Sequence, residues 1–249
     1  MSIKEDDLIF FNKGKIENPK FWSRLGGEPL FEGKKILDVG CGFGSLCIDM
    51  VSKKAKKVVG LDIHEYPLKF AGENLEKNFP ELAKKLEFQL GEVFDLPRNE
   101  FDIIVSKDAF EHILELDKVL YKMIKLLKPE GKIYIGCSQL YNSHFGDHGS
   151  LIKNVIPWAH LMFPESFLLK RLNKRNNSKI SSAKELGLNQ MSLAEIRNLL
   201  FNCGLKVSLY KINASKNLVL RLFSLLRRIP FLKEFFSYNL YCILEKDSK

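Results

Sequence analysis

Cysteine is scarce and unpatterned in this chain of 249 residues: there are five, an odd number, with no C-x-x-C pair. That excludes a disulfide framework and a structural zinc site of the usual spacing. Cys41 and Cys137 read instead as small buried fillers. No apolar run reaches the roughly 18–20 residues of a membrane span. The opening, Met1-Ser2-Ile3-Lys4-Glu5-Asp6-Asp7, has neither the basic start nor the apolar centre of a signal peptide. A cytoplasmic location is the expectation. Acidic residues fall short of basic ones, 30 against 39, for a net charge of +9. Such an excess suits nucleic acid, an anionic membrane surface or an acidic substrate, and it suits a lysine-rich surface with no partner equally well.

Against these absences stands one dense stretch, Ile36-Leu37-Asp38-Val39-Gly40-Cys41-Gly42-Phe43-Gly44. An apolar run ends in an acid, and three glycines follow at alternate positions. This reads as a buried strand feeding a tight turn and a helix N-terminus, where backbone approaches a ligand closely. The spacing is G-x-G-x-G rather than the G-x-G-x-x-G of dinucleotide sites. A carboxylate at Asp38 would repel a pyrophosphate but suits a ligand bearing an ammonium and a sulfonium.

Strand and helix signals then alternate. Strands are expected at residues 35–39, 57–62, 86–90, 101–106 and 132–137, with helices at 45–54, 66–78 and 116–127. Alternation of this kind implies right-handed βαβ units and a parallel sheet. Asp62 ends the second strand about 20 residues past the glycine turn, where an acid accepts both hydroxyls of a ribose. Gly91-Glu92-Val93-Phe94-Asp95-Leu96-Pro97 follows the third strand, and Lys107-Asp108-Ala109-Phe110-Glu111-His112 the fourth.

In this order and spacing, residues 31–137 resemble the class I, Rossmann-like S-adenosylmethionine-dependent methyltransferases, the type 11 family in particular. The resemblance implies an α/β fold: a doubly wound, seven-stranded, mostly parallel sheet with an antiparallel last strand, plus a helical or loop insertion on the acceptor side. It implies S-adenosyl-L-methionine as the cofactor, held by Asp38, Gly40, Cys41, Gly42, Gly44, Asp62, Ile63, Glu92, Val93 and Asp108. Glu92 would meet the adenine amino group, where Asp is more usual, and Val93 would offer its N–H to the ring. The chain divides into an N-terminal extension contributing to the site (1–30), the donor-binding core (31–138), an acceptor-side insertion or lid (139–190) and the C-terminal part of the same domain (191–249). Within the last part, Ser192-Leu193-Ala194-Glu195 has the form of a capping box opening a helix. Residues 205–212 and 238–244 read as closing strands separated by an insertion. The polar, basic stretch 169–184 reads as a mobile loop or lid.

A hydroxyl acceptor must lose a proton, which calls for a base titrating near neutrality, and histidine is the natural choice. Loops after the carboxyl ends of the strands surround the ligand in an open parallel sheet, and His112, His144, His148 and His160 all fall after the fourth or fifth strand. His148 is the first candidate base, then His144 and His160, with His112 as a wall of the acceptor pocket. Each has a plain alternative, a hydrogen bond to loop backbone. Glu111 reads as an acid favouring a helix N-terminus. His144, Asp147 and His148 carry ligand atoms, yet no helical spacing supports them, and no metal is expected.

The turn after the fourth strand lacks both the Asn/Asp-Pro-Pro-Tyr/Phe of base-amine methylation and the Pro-Cys of cytosine methylation, and no RNA-binding module is appended, so nucleic acid is not the expected partner. Residues 217–236 are apolar with interspersed Arg, suited to a peripheral membrane contact, to a lipid-linked acceptor, or to packing over the sheet edge or a homodimer interface. The reading is methyl transfer to a hydroxyl of a small-molecule, glycan or lipid-linked acceptor. N- or C-methylation, RNA methylation and a non-catalytic scaffold stand as alternatives.

Overall fold

The computed structural model describes residues 5–152, 156–215 and 217–246; residues 1–4 of the opening stretch lie outside them. The five apolar runs become parallel strands: β1 (Lys35–Val39), β2 (Lys57–Asp62), β3 (Leu86–Leu90), β4 (Phe101–Lys107) and β5 (Leu127–Ser138). With β6 (Lys206–Ile212) and β7 (Asn239–Glu245) they form a seven-stranded sheet in the order β3-β2-β1-β4-β5-β7-β6, in which β7 runs antiparallel to both neighbours. This is the doubly wound, Rossmann-like sheet with an antiparallel last strand that the family resemblance implied.

The central strands β1, β2 and β4 are apolar on both sides because both faces are covered, whereas the edge strands β3 and β6 carry exposed polar residues. Ile36, Val58, Ile103 and Val105 enter one cluster and their neighbours Leu37, Val59 and Ile104 the other, the two-residue period of a pleated strand. The first face is covered by α1 (Glu5–Arg24), α2 (Ser45–Ser52) and α3 (Glu65–Asn78); the second by α4 (Leu116–Leu126) and α7 (Leu193–Phe201). α7 opens on the expected capping box, with Ser192 accepting from the Glu195 N–H and Glu195 reaching back to the Ser192 N–H.

Between β5 and α7 the chain departs from the expected loop. The short α5 (Ala159–Met162) is followed by α6 (Glu165–Asn176), which runs through the first part of the stretch read as mobile. Leu168, Leu169 and Leu172 bury one side of α6 in a separate small core with Leu151, Ala183 and Leu188. Asn177 ends the helix in the left-handed conformation. The polar face of α6 masks three leucines that suffice to seat it. The insertion between β6 and β7 also contains a helix, α8 (Leu218–Leu226), followed by a 3-10 turn at Pro230–Leu232. Among the described residues no helix is long and apolar enough to cross a membrane.

Candidate active site

The carboxyl ends of β1, β2 and β4 converge on the glycine turn. Gly40 adopts φ +78°, and a Cβ there would collide with Cβ of Ala109, so the turn lies directly against the loop after β4. Gly44, at φ +76°, heads α2; a Cβ would come within 2.6 Å of the Phe88 ring on β3. The Gly40 and Cys41 N–H groups donate to the Leu61 carbonyl at 2.8 and 3.1 Å, which ties the turn to the end of β2.

Asp62 sits at that strand end, buried, with Oδ2 accepting from the Gly42 N–H at 2.8 Å and Oδ1 from the His64 N–H at 2.9 Å. Asp38 is buried under the turn and accepts from the Cys47 thiol at 3.3 Å. Among the described residues no cation forms an ion pair with it, and burial pushes its carboxyl up to about 7. Ile63 is 64% exposed, and Leu90, the register partner of Asp62 on β3, is 59% exposed. Glu92 is exposed beside them and Val93 is buried. The set offers a carboxylate to a diol, an apolar slot to a flat ring and a buried carboxylate to a cationic head.

α1, from the N-terminal extension, lies across this corner. Tyr66 Oη donates to the Asp7 carboxylate at 2.9 Å, and Phe10 stacks on Phe43 of the glycine turn at 5.5 Å. A Cβ on Gly14 would collide with the Ser45 side chain. Asn18, fully buried, donates to the Ser45 carbonyl at 3.2 Å and accepts from Lys107 Nζ at 2.8 Å. The sequence placed an extension here without identifying a helix.

In the segments after β4 and β5 the structure separates the histidines. His160 is buried, its Nε2 at 2.7 Å from the Tyr141 carbonyl and its Nδ1 at 3.7 Å from Asp147 Oδ1. Asp147 itself accepts from the Leu151 and Ile152 N–H groups. These two residues fasten the loop to itself. His144 lies among Phe145, Trp158, Phe223 and Tyr238, with ring centroids between 4.7 and 6.0 Å. Burial lowers its pKa. His144, Asp147 and His148 therefore do not assemble as a ligand set.

His148 instead meets His112, centroid to centroid at 4.7 Å. Burial, with His112 adjacent, brings the His148 ring down to about 4, and its Nε2 is buried with no hydrogen-bond partner. Beside them lies Glu111, which sequence reasoning assigned to a helix dipole. The loop after β4 is only a 3-10 turn, Phe110–His112, and it turns Glu111 inward. Glu111 Oε1 accepts from the Ser138 N–H at 3.2 Å, Oε2 has no partner, and burial plus the Asp108 charge push the carboxyl up to about 8. Asp108, at φ +55° and exposed, accepts from Ser138 Oγ at 2.7 Å. The adjacent Glu-His pair was visible in the sequence; its convergence with His148 depends on the fold.

A profile of the methyltransferase domain matches residues 30–179. The human mitochondrial ubiquinone biosynthesis O-methyltransferase is 34% identical over 113 residues, 44% of this chain and 30% of that protein. Phosphoethanolamine N-methyltransferase 1 of Arabidopsis thaliana is 34% identical over 129 residues, 51% of this chain and 25% of that protein. The matched region thus spans less than a third of either relative's length. In fold, the chain resembles the crystal structure of an S-adenosylmethionine-dependent methyltransferase from Mesorhizobium loti, with a TM-score of 0.58 at 14% identity over 94% of this chain and 99% of that one.

Proposed function

The chain belongs to the methyltransferase domain family, and on that premise we propose that it transfers a methyl group from S-adenosylmethionine to a hydroxyl oxygen of a small-molecule, glycan or lipid-linked acceptor. The donor supplies an activated methyl on a sulfonium. Asp62 would hold the ribose hydroxyls, Asp38 the ammonium, and Ile63, Glu92 and Val93 the adenine, while α1 screens the corner from water. The remaining task is alignment of the acceptor and removal of its proton.

The observation that carries the hydroxyl reading is the convergence of Glu111, His112 and His148 on the loop that packs against Gly40. An amine needs only a free lone pair, so it gives no reason for such a cluster beside the donor. His148 stays neutral at physiological pH because burial disfavours its charged form, which leaves a nitrogen lone pair for the hydroxyl proton but makes the ring a weaker base than the near-neutral one the sequence called for. The His112–His148 pair is the base in this reading.

The acceptor class draws on α8. Leu218, Leu222 and Leu225 lie exposed at i, i+4 and i+7, with Phe231 exposed beyond them and Arg221, Arg227 and Arg228 nearby. The buried Phe223 of the same helix packs on His144 of the acceptor-side loop at 5.1 Å. An amphipathic, lipid-linked acceptor met at an anionic surface fits this face.

The test is release of S-adenosylhomocysteine with hydroxyl acceptors against their deoxy counterparts. Turnover should require the hydroxyl, and His148→Ala should lower kcat by about 100-fold or more with donor binding kept. Preferential methylation of amines, unaffected by His148→Ala, contradicts the reading.

A further inference from the structure

Glu111, His112 and His148 each present one potential ligand atom, and the three atoms lie within 4.8 Å of one another. Each residue is also anchored from behind. His112 Nδ1 sits 2.8 Å from the Gly187 carbonyl, and the His148 ring donates to the Gln139 carbonyl. Glu111 Oε1 takes the Ser138 N–H. What remains is the second ring nitrogen of each histidine and Glu111 Oε2. Two of these atoms, Glu111 Oε2 and His148 Nε2, are buried without a hydrogen-bond partner, and the Glu111 side chain is 94% buried by its residual 6% exposure. Unpaired buried polar atoms are rare and costly. Here two of them share one small space.

Back-hydrogen-bonding of a ligating imidazole to a carbonyl is the usual outer-shell device that fixes its tautomer and orientation. Two imidazoles and one carboxylate suit a divalent transition metal better than calcium or magnesium, and three protein ligands leave positions open. Ligands about 2.1 Å from one ion stand at most about 4.2 Å apart, so the three atoms need a shift of roughly half an ångström to close on it.

We propose that Glu111, His112 and His148 bind a divalent transition-metal cation whose open positions take the acceptor's hydroxyl oxygen. This rests on the hydroxyl reading above and changes one element of it: the imidazoles serve as ligands. The metal-bound hydroxyl then releases its proton to solvent water, as metal-bound water does near neutrality. The alkoxide oxygen forms the new C–O bond as the C–S bond breaks, and the bonding pair of that bond stays on sulfur as a neutral thioether.

The test uses the full-length chain, stripped with a chelator and titrated with Mn²⁺ or Zn²⁺ alone by calorimetry. Wild type should bind one ion per chain. Glu111→Gln, which keeps the side-chain volume, and His112→Ala, at an exposed position, should each weaken binding by about 100-fold or more, beyond the 10–100-fold typical of losing an outer-shell partner. Donor binding by each variant shows that it is folded. Absence of metal uptake by donor-binding wild type overturns the proposal, as does uptake that survives both substitutions. Hydroxyl methylation that persists after chelation removes the metal's role while leaving the O-methylation reading standing. Metal uptake without any methyl transfer leaves the site standing and removes the O-methylation reading.

Discussion

Asp38 and Asp62 differ in environment although both end strands beneath the same turn. Asp62 has two backbone N–H groups on its oxygens, which hold the carboxylate at the strand end where the proposed reading puts the ribose diol. Replacing it by Ala removes charge-assisted hydrogen bonds worth about 1.5–3 kcal/mol each. Donor affinity should fall by roughly 100-fold, measured by calorimetry. Among the described residues the Cys47 thiol donates to the buried Asp38 carboxylate, which titrates near 7 in the fold against 3.8 when free. The folded state therefore binds this proton more tightly than the unfolded one. The associated stability is fully present below about pH 4 and is lost as pH rises through 7. Asp38→Asn should raise the melting temperature of the unliganded protein at pH 8 by several degrees, at about 2–4 °C per kcal/mol, with a smaller gain near pH 5. The same substitution should abolish tight donor binding. An unchanged melting temperature at pH 8 would show that the buried charge costs nothing there.

At the scale of elements, α1 and α8 were the hardest to anticipate, for different reasons. α1 buries Phe11, Phe21 and Trp22, but Gly14 and Pro19 interrupt its pattern and its other face mixes charged residues with the exposed Ile9, Phe10 and Ile16. Gly14 is the point of closest approach to Ser45, so Gly14→Val should push α1 away from the glycine turn and speed donor release by about tenfold in stopped-flow kinetics, the equivalent of about 1.4 kcal/mol. No change would mean that α1 does not screen the donor. α8 was legible as apolar with Arg but not in its facing, since only the fold shows Leu220 and Phe223 inward and Leu218, Leu222 and Leu225 outward. Leu222→Glu should cut binding to vesicles containing anionic phosphatidylserine by several-fold in sedimentation, without altering the melting temperature. Equal binding by both proteins would remove the membrane-facing role of this helix. α6 shows the opposite failure. Three buried leucines inside a Lys-, Arg- and Asn-rich segment outweigh its composition, which read as a loop.

Over the whole molecule, the five parallel strands were legible to within a residue or two at most ends because two-sided burial demands continuous apolar runs. β5 is the exception: it was expected at 132–137 and extends back to Leu127 through Lys128, Pro129, Glu130 and Gly131. The positions of the residues proposed to hold the donor were legible for a related reason: they sit at fixed offsets from those strand ends. The acceptor side was not. His112 and His148 are 36 positions apart by their numbers, and β5 and a compact loop lie between them. Sequence spacing carries no information about such a meeting, and it grouped His148 with Asp147 and His144 instead. The two halves of the site therefore rest on different supports, and one experiment separates them. Calorimetric titration with S-adenosylmethionine of wild type, Asp62→Ala and Glu111→Gln tests the account most directly. It predicts tight binding by wild type, loss in Asp62→Ala and retention in Glu111→Gln; folded wild-type protein that does not bind the donor would contradict it.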